Sequence, residues 1–165
     1  MIRKAKETDA HAIALIYNHY IVHSTTTFEE KEVNGQLILE RLNKSKKHPW
    51  WVYEQEGVVL GYAFSTKWKP RSAYRFTVES SVYVAPKQQQ KGVGTLLYSK
   101  LINALKKEGF RIILAGISLP NDQSISFHEK LGFQKVGQLE SVGYKFNRWI
   151  DVGYWELTDS SCPTF

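Results

Sequence analysis

Residues 79–95 read ESSVYVAPKQQQKGVGT, and they constrain the chain more than any other stretch. An apolar strand running out of Glu79 is predicted to break at Pro86 and to feed a basic loop carrying Gln89, Gly92 and Gly94. The amphipathic run starting at Leu96 follows at once, with Leu96, Leu97, Leu101, Ile102 and Leu105 on one stripe. A strand that ends in a glycine loop at a helix start aims free N–H groups and the positive end of the helix dipole at one spot. That arrangement suits a phosphate or pyrophosphate. The spacing excludes two familiar cradles. A P-loop needs Lys-Ser or Lys-Thr after its second glycine, and a dinucleotide fingerprint needs a third glycine where Leu97 stands. The remaining alternative is a strand-loop-helix connection with helix-entry glycines and no ligand.

A length of 165 residues suits one domain spanning 1–165, large enough to bury a full core without staples. With 42% hydrophobic and 13% aromatic residues, the composition is that of a globular protein. A single cysteine, Cys162, cannot form an internal disulfide, which favours the cytoplasm. The N-terminus lacks the apolar core of a signal peptide, and no stretch approaches membrane-spanning length, so no membrane partner is expected. The net charge of +6 would attract a polyanion, but the bases are scattered and no nucleic-acid motif is present. Lys44, Lys46 and Lys47 form one short run; Lys87, Lys91, Lys106 and Lys107 surround the glycine loop. The histidines His11, His19, His23 and His48 show no metal-ligand spacing, so no metal is expected.

Taken in order, Met1 to Ala5 reads as a strand, and Thr8 or Asp9 as the cap of a helix through Ile13, Ile16, Tyr17, Tyr20 and Ile21. Phe28 then emerges on a loop. A second helix carries Leu37, Ile38 and Leu42 and is stopped by His48-Pro49. Trp50 to Gln55 and Val58 to Trp68 form a hairpin about Glu56-Gly57, and a long strand runs from Tyr74 through Ala85. Phe110 to Ser118 is a buried strand. Pro120-Asn121-Asp122 opens a helix that closes at Gly132, and Phe133 to Leu139 pairs with Asp151 to Leu157 across a longer connection, Glu140 to Ile150. The order βααβββαβαββ gives an α/β (α+β) class: a mixed, mostly antiparallel central sheet with helices on both faces.

The hexad Gln89-Gln90-Lys91-Gly92-Val93-Gly94 resembles the coenzyme A signature Q/R-x-x-G-x-G/A of the GNAT superfamily of N-acetyltransferases, whose element order also matches. Within that superfamily the chain is similar to the phosphinothricin N-acetyltransferase group. The residues that carry this likeness are YNHYI at 17–21, TVESSVYV at 77–84, LPND at 119–122, FHEKLGF at 127–133 and GYKFNRWIDVGYWEL at 143–157. The resemblance implies transfer of acetyl from acetyl-CoA to the α-amine of a small amino acid or analogue, of the phosphinothricin or methionine sulfoximine and sulfone type, by a homodimer. It places the cofactor on Val82, Tyr83 and Val84, on Gln89, Gln90, Lys91, Gly92, Val93, Gly94 and Thr95, and on Asn121. The chemistry agrees, because an unpaired strand edge can hydrogen-bond a peptide-like pantetheine arm and one N–H, that of Val84, can face the thioester oxygen. For Asn121 a turn or N-cap role stands beside this one.

Attack by an amine requires a neutral nucleophile and a proton for the departing thiolate. Glu79 interrupts an apolar strand and is the candidate base; a structural ion pair with an arginine is the alternative. His128 stands where many GNAT enzymes have a proton-donating tyrosine, a departure that matches the phosphinothricin-type group. It is the second catalytic candidate, with packing beside Ile125 and Leu131 as the competing role. For the acceptor, Arg71, Tyr74 and Arg75 lie upstream of Glu79, Arg75 being the candidate cation for an anionic group, and the resemblance adds Phe28. Two further readings remain open: acetylation of another amine (a polyamine, an aminoglycoside or a protein N-terminus), and a non-catalytic acyl-CoA sensor.

Overall fold

Glu56 and Gly57 both take positive φ, 52° and 78°, the backbone that lets a two-residue turn follow the twist of its strands. They join β2 (Trp51–Gln55) to β3 (Val58–Lys67) as expected. The computed structural model describes residues 1–45, 48–89 and 91–159; Lys46, Lys47, Gln90 and Cys162 fall outside them. β1 (Ile2–Lys4) pairs with β2, and β4 (Thr77–Val84) with β3. α1 (Ala10–His23) and α2 (Gly35–Lys44) lie between β1 and β2 in the chain. α3 (Val93–Lys107), β5 (Ile112–Leu119), α4 (Asp122–Lys130), β6 (Gln134–Lys145) and β7 (Arg148–Thr158) complete the order. The sheet of the described residues runs β1-β2-β3-β4-β5-β7-β6, and β4–β5 is its one parallel pair.

Alternation along the strands divides the core into two layers. Ala63, Val78, Ile113 and Ala115 face α3, where Leu97, Tyr98 and Leu101 are fully buried, and α4 adds Ile125 and Phe127 to this layer. On the other face Val52, Tyr62 and Tyr83 meet Ile13, Tyr17 and Ile21 of α1 and Ile38 of α2. Helices therefore cover both faces, as the sequence predicts.

Four local expectations change. Asp9 does not cap α1 with its side chain; its carboxylate is held by Arg3 at 2.7 and 2.8 Å and by the Lys6 N–H at 2.7 Å. α2 ends at Lys44, before His48-Pro49. Ser72–Tyr74 form a single 3-10 turn, so β4 begins at Thr77 and not at Tyr74. The terminal strands are much longer than Phe133 to Leu139 and Asp151 to Leu157, and a tight turn at Phe146 and Asn147, φ 53° and 56°, joins them. A register shift between Leu139 and Gly143 breaks the alternation by which the extension could have been recognised.

The far end of β6 reaches back to the loop after α1. Lys145 is buried, and its ammonium donates to the carbonyls of Ser24 at 2.9 Å and Thr27 at 2.8 Å. The Thr25 and Ser118 hydroxyls are 3.2 Å apart. Loop 24–28 is thereby tied to both β6 and β5.

Candidate active site

β4 and β5 stay paired only from Thr77 with Ile112 to Glu79 with Leu114. β5 then continues beside β7 as far as Leu119 with Asp151, and leaves β4 behind. At the last rung the Ser80 hydroxyl donates to the Leu114 carbonyl at 3.0 Å, so the Tyr98 hydroxyl, 2.7 Å away, must be the donor to Ser80. Ser80 and Tyr98 thus fasten the fork.

The Ala85 N–H donates to the Leu60 carbonyl. With the continuous antiparallel register of β3 and β4, odd-numbered residues of β4 turn their main-chain groups to β3 and even-numbered ones to β5. Beyond the fork the groups of Val82 and Val84 consequently face a gap. Tyr20 of α1 takes those of Val84: its hydroxyl donates to the Val84 carbonyl at 2.6 Å and accepts from the Val84 N–H at 3.3 Å. Gln89 Nε2 donates to the Tyr20 hydroxyl at 3.1 Å. Val82 keeps an N–H and a C=O without a strand partner among the described residues. The Val84 N–H, expected to face a thioester oxygen, is engaged by Tyr20, and Val82 carries the open donor.

The gap widens into a cleft of about 470 Å³ lined by Tyr20, Thr26, residues 80–84, Gln88, Gln89, Gly92, Gly94, Thr95, Ala115, Gly116, Asn121 and His128, among others. Gly92, the N-cap of α3, has φ 80°, where a side chain is strained, and a Cβ there would meet nothing within 4 Å. Leu96 is the first α3 residue to bond back to Gly92, so the N–H groups of Val93, Gly94 and Thr95 have no partner within the helix. Lys91 is exposed beside them, while the Val93 side chain is buried in the core and only its main chain serves the cradle. Asn121 takes the N-cap role: its side-chain Oδ1 accepts from Ser124 N–H at 3.1 Å, and the residue also lines the cleft.

His128 is buried at 7% exposure, edge-on to Tyr98, Phe127 and Phe133. Its Nδ1 lies 2.8 Å from the Ser124 carbonyl, which can only accept, so Nδ1 carries the proton and Nε2 the lone pair. Burial lowers its pKa below the ordinary histidine value, against the opposing pull of that bond. A lowered value keeps the ring neutral at neutral pH, and the residue both packs in the core and lines the cleft. Glu79 is half-buried on the opposite face of β4 from Ser80, and no cation among the described residues forms an ion pair with it. Burial raises its pKa. It is not itself among the cleft-lining residues, but it abuts Gly116, which is.

The acceptor candidates are placed elsewhere. Arg71, Tyr74 and Arg75 are exposed on the loop before β4, and the Arg75 guanidinium lies 4.7 Å over the Phe76 ring. Phe28 rests against Gly143 of β6, where any Cβ would collide with its ring. None of the four lines the cleft. Sequence reasoning also passed over Tyr20, which it assigned to the core stripe of α1, and Gly116, hidden in an apolar strand.

Residues 2–153 match the family described as acetyltransferase (GNAT) domain. The chain belongs to that family. It is 42% identical over 94% of its length to phosphinothricin N-acetyltransferase from Streptomyces viridochromogenes, covering 85% of that protein. It is 38% identical to the L-methionine sulfoximine/L-methionine sulfone acetyltransferase of Salmonella typhimurium, covering 94% of this chain and 92% of that protein. Among solved structures, a GNAT superfamily phosphinothricin acetyltransferase from Sinorhizobium meliloti in complex with acetyl-CoA superposes with a TM-score of 0.91 at 31% identity, over 96% of this chain and 87% of that one.

Proposed function

We propose that the chain is a single acetyltransferase domain, residues 1–165, that moves the acetyl group of acetyl-CoA to the α-amine of a small amino acid or analogue of the phosphinothricin or methionine sulfone type. The observation that carries this reading is one cleft in which the open edge of Val82 runs on to the N-terminus of α3. A peptide-like arm pairs with the first, and a pyrophosphate sits at the second. The relatives' names point to the same donor and the same acceptors.

The residues divide the work as follows. The Val82 N–H polarises the thioester carbonyl. Glu79 takes a proton from the acceptor amine, directly or through a water, and so frees the lone pair that attacks the carbonyl carbon. As the C–N bond forms and the C–S bond breaks, the thiolate gains a proton through His128, whose neutral Nε2 first accepts one from the amine. No residue needs to carry the acetyl group. Gln90 belongs with the pyrophosphate loop by its place in the hexad. Arg71, Tyr74, Arg75 and Phe28 contribute to the acceptor side only if the loop before β4 and loop 24–28 close inward on binding.

The protein acts in the cytoplasm as a homodimer. The first point is supported by its single cysteine. The second is supported by the exposed apolar side chains Val136, Leu139, Val142, Tyr144, Phe146 and Trp149 along the outer hairpin. No helix among the described residues is long and apolar enough to cross a membrane. The test is a screen of amino acids and their sulfoximine, sulfone and phosphinate analogues, with polyamines and aminoglycosides alongside, following release of free thiol from acetyl-CoA. Turnover with the amino-acid set is expected; turnover confined to polycationic amines would move the acceptor class, and binding without turnover would make the protein a sensor.

A further inference from the structure

Gly116 stands in the middle of β5, in the run Ile112–Leu119, IILAGISL, where every neighbour is larger. A strand interior disfavours glycine, and its presence there marks a close approach of something else. Its φ is not in the positive region, so the backbone does not require glycine. Gly116 is exposed between buried Ala115 and Ile117, and it lines the cleft. A methyl group at this position would lie 3.0 Å from Oε1 of Glu79, 3.5 Å from Cε1 of Tyr154 and 3.8 Å from Cγ1 of Val152. Tyr154 pairs with Gly116 across the β5–β7 ladder, and the Trp68 ring meets Tyr154 edge-on with centroids 5.4 Å apart.

We propose that Gly116 determines which acceptors are admitted, by leaving a notch between the Glu79 carboxylate and the Tyr154–Trp68 wall that a primary amine on an uncrowded carbon can enter. The inference rests on the acetyltransferase reading and specifies its acceptor side. The chemistry of the notch matches an amine: a carboxylate with no ion-pair partner among the described residues faces it on one side, and the Tyr154 ring, with Cε1 nearest, bounds the other. A side-chain carbon at 116 would press on Oε1 of Glu79 at 3.0 Å, tighter than ordinary van der Waals contact, so bulk added beside the carboxylate, from the protein or from a branch on the acceptor, crowds the amine it faces. The notch opens to the cleft at Gly116, across the fork from Val82, so an amine held there lies between the candidate base and the open strand edge.

The test compares wild type with Gly116→Ala and Trp68→Ala on a panel that pairs unbranched amino acids, such as methionine sulfone, with β-branched ones, such as valine. Acetyl-CoA affinity is measured by titration and folding by thermal melts. Gly116→Ala is expected to lower acceptor kcat/KM by about 10-fold to 100-fold while leaving acetyl-CoA affinity within about twofold, because one misplaced carbon against the carboxylate in a fitted pocket has that weight. Trp68→Ala is expected to narrow the preference for unbranched over branched acceptors by about 10-fold. An active wild type matched by Gly116→Ala in acceptor kcat/KM, or a Trp68→Ala variant with the same acceptor ranking, overturns the notch and leaves the acetyltransferase reading standing. So does a Gly116→Ala variant that loses acetyl-CoA binding in equal measure. A wild type that acetylates no amine brings down the function and the notch together.

Discussion

Glu79 and His128 illustrate how burial tunes two groups in opposite directions. Withdrawing a carboxyl from water favours its neutral form and raises its pKa, whereas withdrawing an imidazole favours the neutral base and lowers its pKa. With Glu79 as base, the acid limb of kcat/KM lies above the ordinary carboxylate range, and activity falls as pH drops through it. Glu79→Gln is expected to lower kcat by about 100-fold or more, to abolish that limb and to leave acetyl-CoA affinity intact; pH–rate profiles and titration calorimetry read all three. Unchanged turnover would remove Glu79 from the mechanism. The same shift has a cost in stability. A pKa raised in the folded state means the contribution of Glu79 to stability is fully present below its unfolded pKa and is lost as pH rises through the folded one. Glu79→Gln should therefore melt higher than wild type at neutral pH, and the difference should vanish at pH 4 and below. For His128 the sign reverses: its contribution is present above the unfolded histidine value and is lost as pH falls through the lowered one.

At the scale of elements, the site is the product of a fork and a helix start. β4 and β5 share three rungs, Ser80 and Tyr98 fasten the last of them, and the unpaired remainder of β4 leads into the loop before α3. Gly92 joins the two parts. Since its φ is 80° and the space beyond it is open to the cleft, Gly92→Val both strains the turn and projects methyl groups where a pyrophosphate would lie. The expected outcome is acetyl-CoA affinity weakened by about 10-fold or more, alongside a loss of about 1 kcal/mol in stability. Titration with acetyl-CoA and urea unfolding separate the two effects, and wild-type affinity would exclude this loop as the phosphate site. Gly94 makes a useful contrast. A Cβ there would make ordinary contacts at 3.5 and 3.6 Å with Val84 and Phe127, so Gly94→Ala should fold as well as wild type.

For the whole molecule the outer hairpin of β6 and β7 matters most. β6 ends the sheet, and twelve residues long it would offer an unprotected edge beside exposed apolar side chains, Trp149 at 66% exposure among them. A second copy of the chain covers such a surface in the proposed homodimer. Trp149→Glu is expected to shift the protein from dimer to monomer in sedimentation velocity at micromolar concentration, and a wild type that sediments as a monomer would dispose of the idea. The same hairpin holds loop 24–28 through Lys145, and Thr26 of that loop lines the cleft. Its packing therefore bears on the site as well as on assembly.

Much of this was legible along the chain, because it depends on neighbours in sequence. The Glu56-Gly57 hairpin, the apolar stripe of α3 apart from Leu96, the helix-entry glycines and the isolated carboxylate in β4 are each short-range patterns. Leu96 is 54% exposed because it falls beside the buried row of Leu97, Leu101 and Leu105. The fork was legible only through resemblance, since nothing local states that β5 leaves β4 after Leu114. Long-range geometry decided the rest. Tyr20 reads as one more apolar-stripe residue until α1 is laid across the sheet and its hydroxyl reaches Val84, 64 positions away. Gly116 reads as filler in a buried strand until Glu79 and Tyr154, from two other strands, close around it. The sequence by itself determined the elements and the residue types able to do chemistry, because propensity, capping and turn geometry act over a few residues; which of those residues meet was decided by tertiary packing, because strand register and helix docking bring together groups that are far apart in the chain.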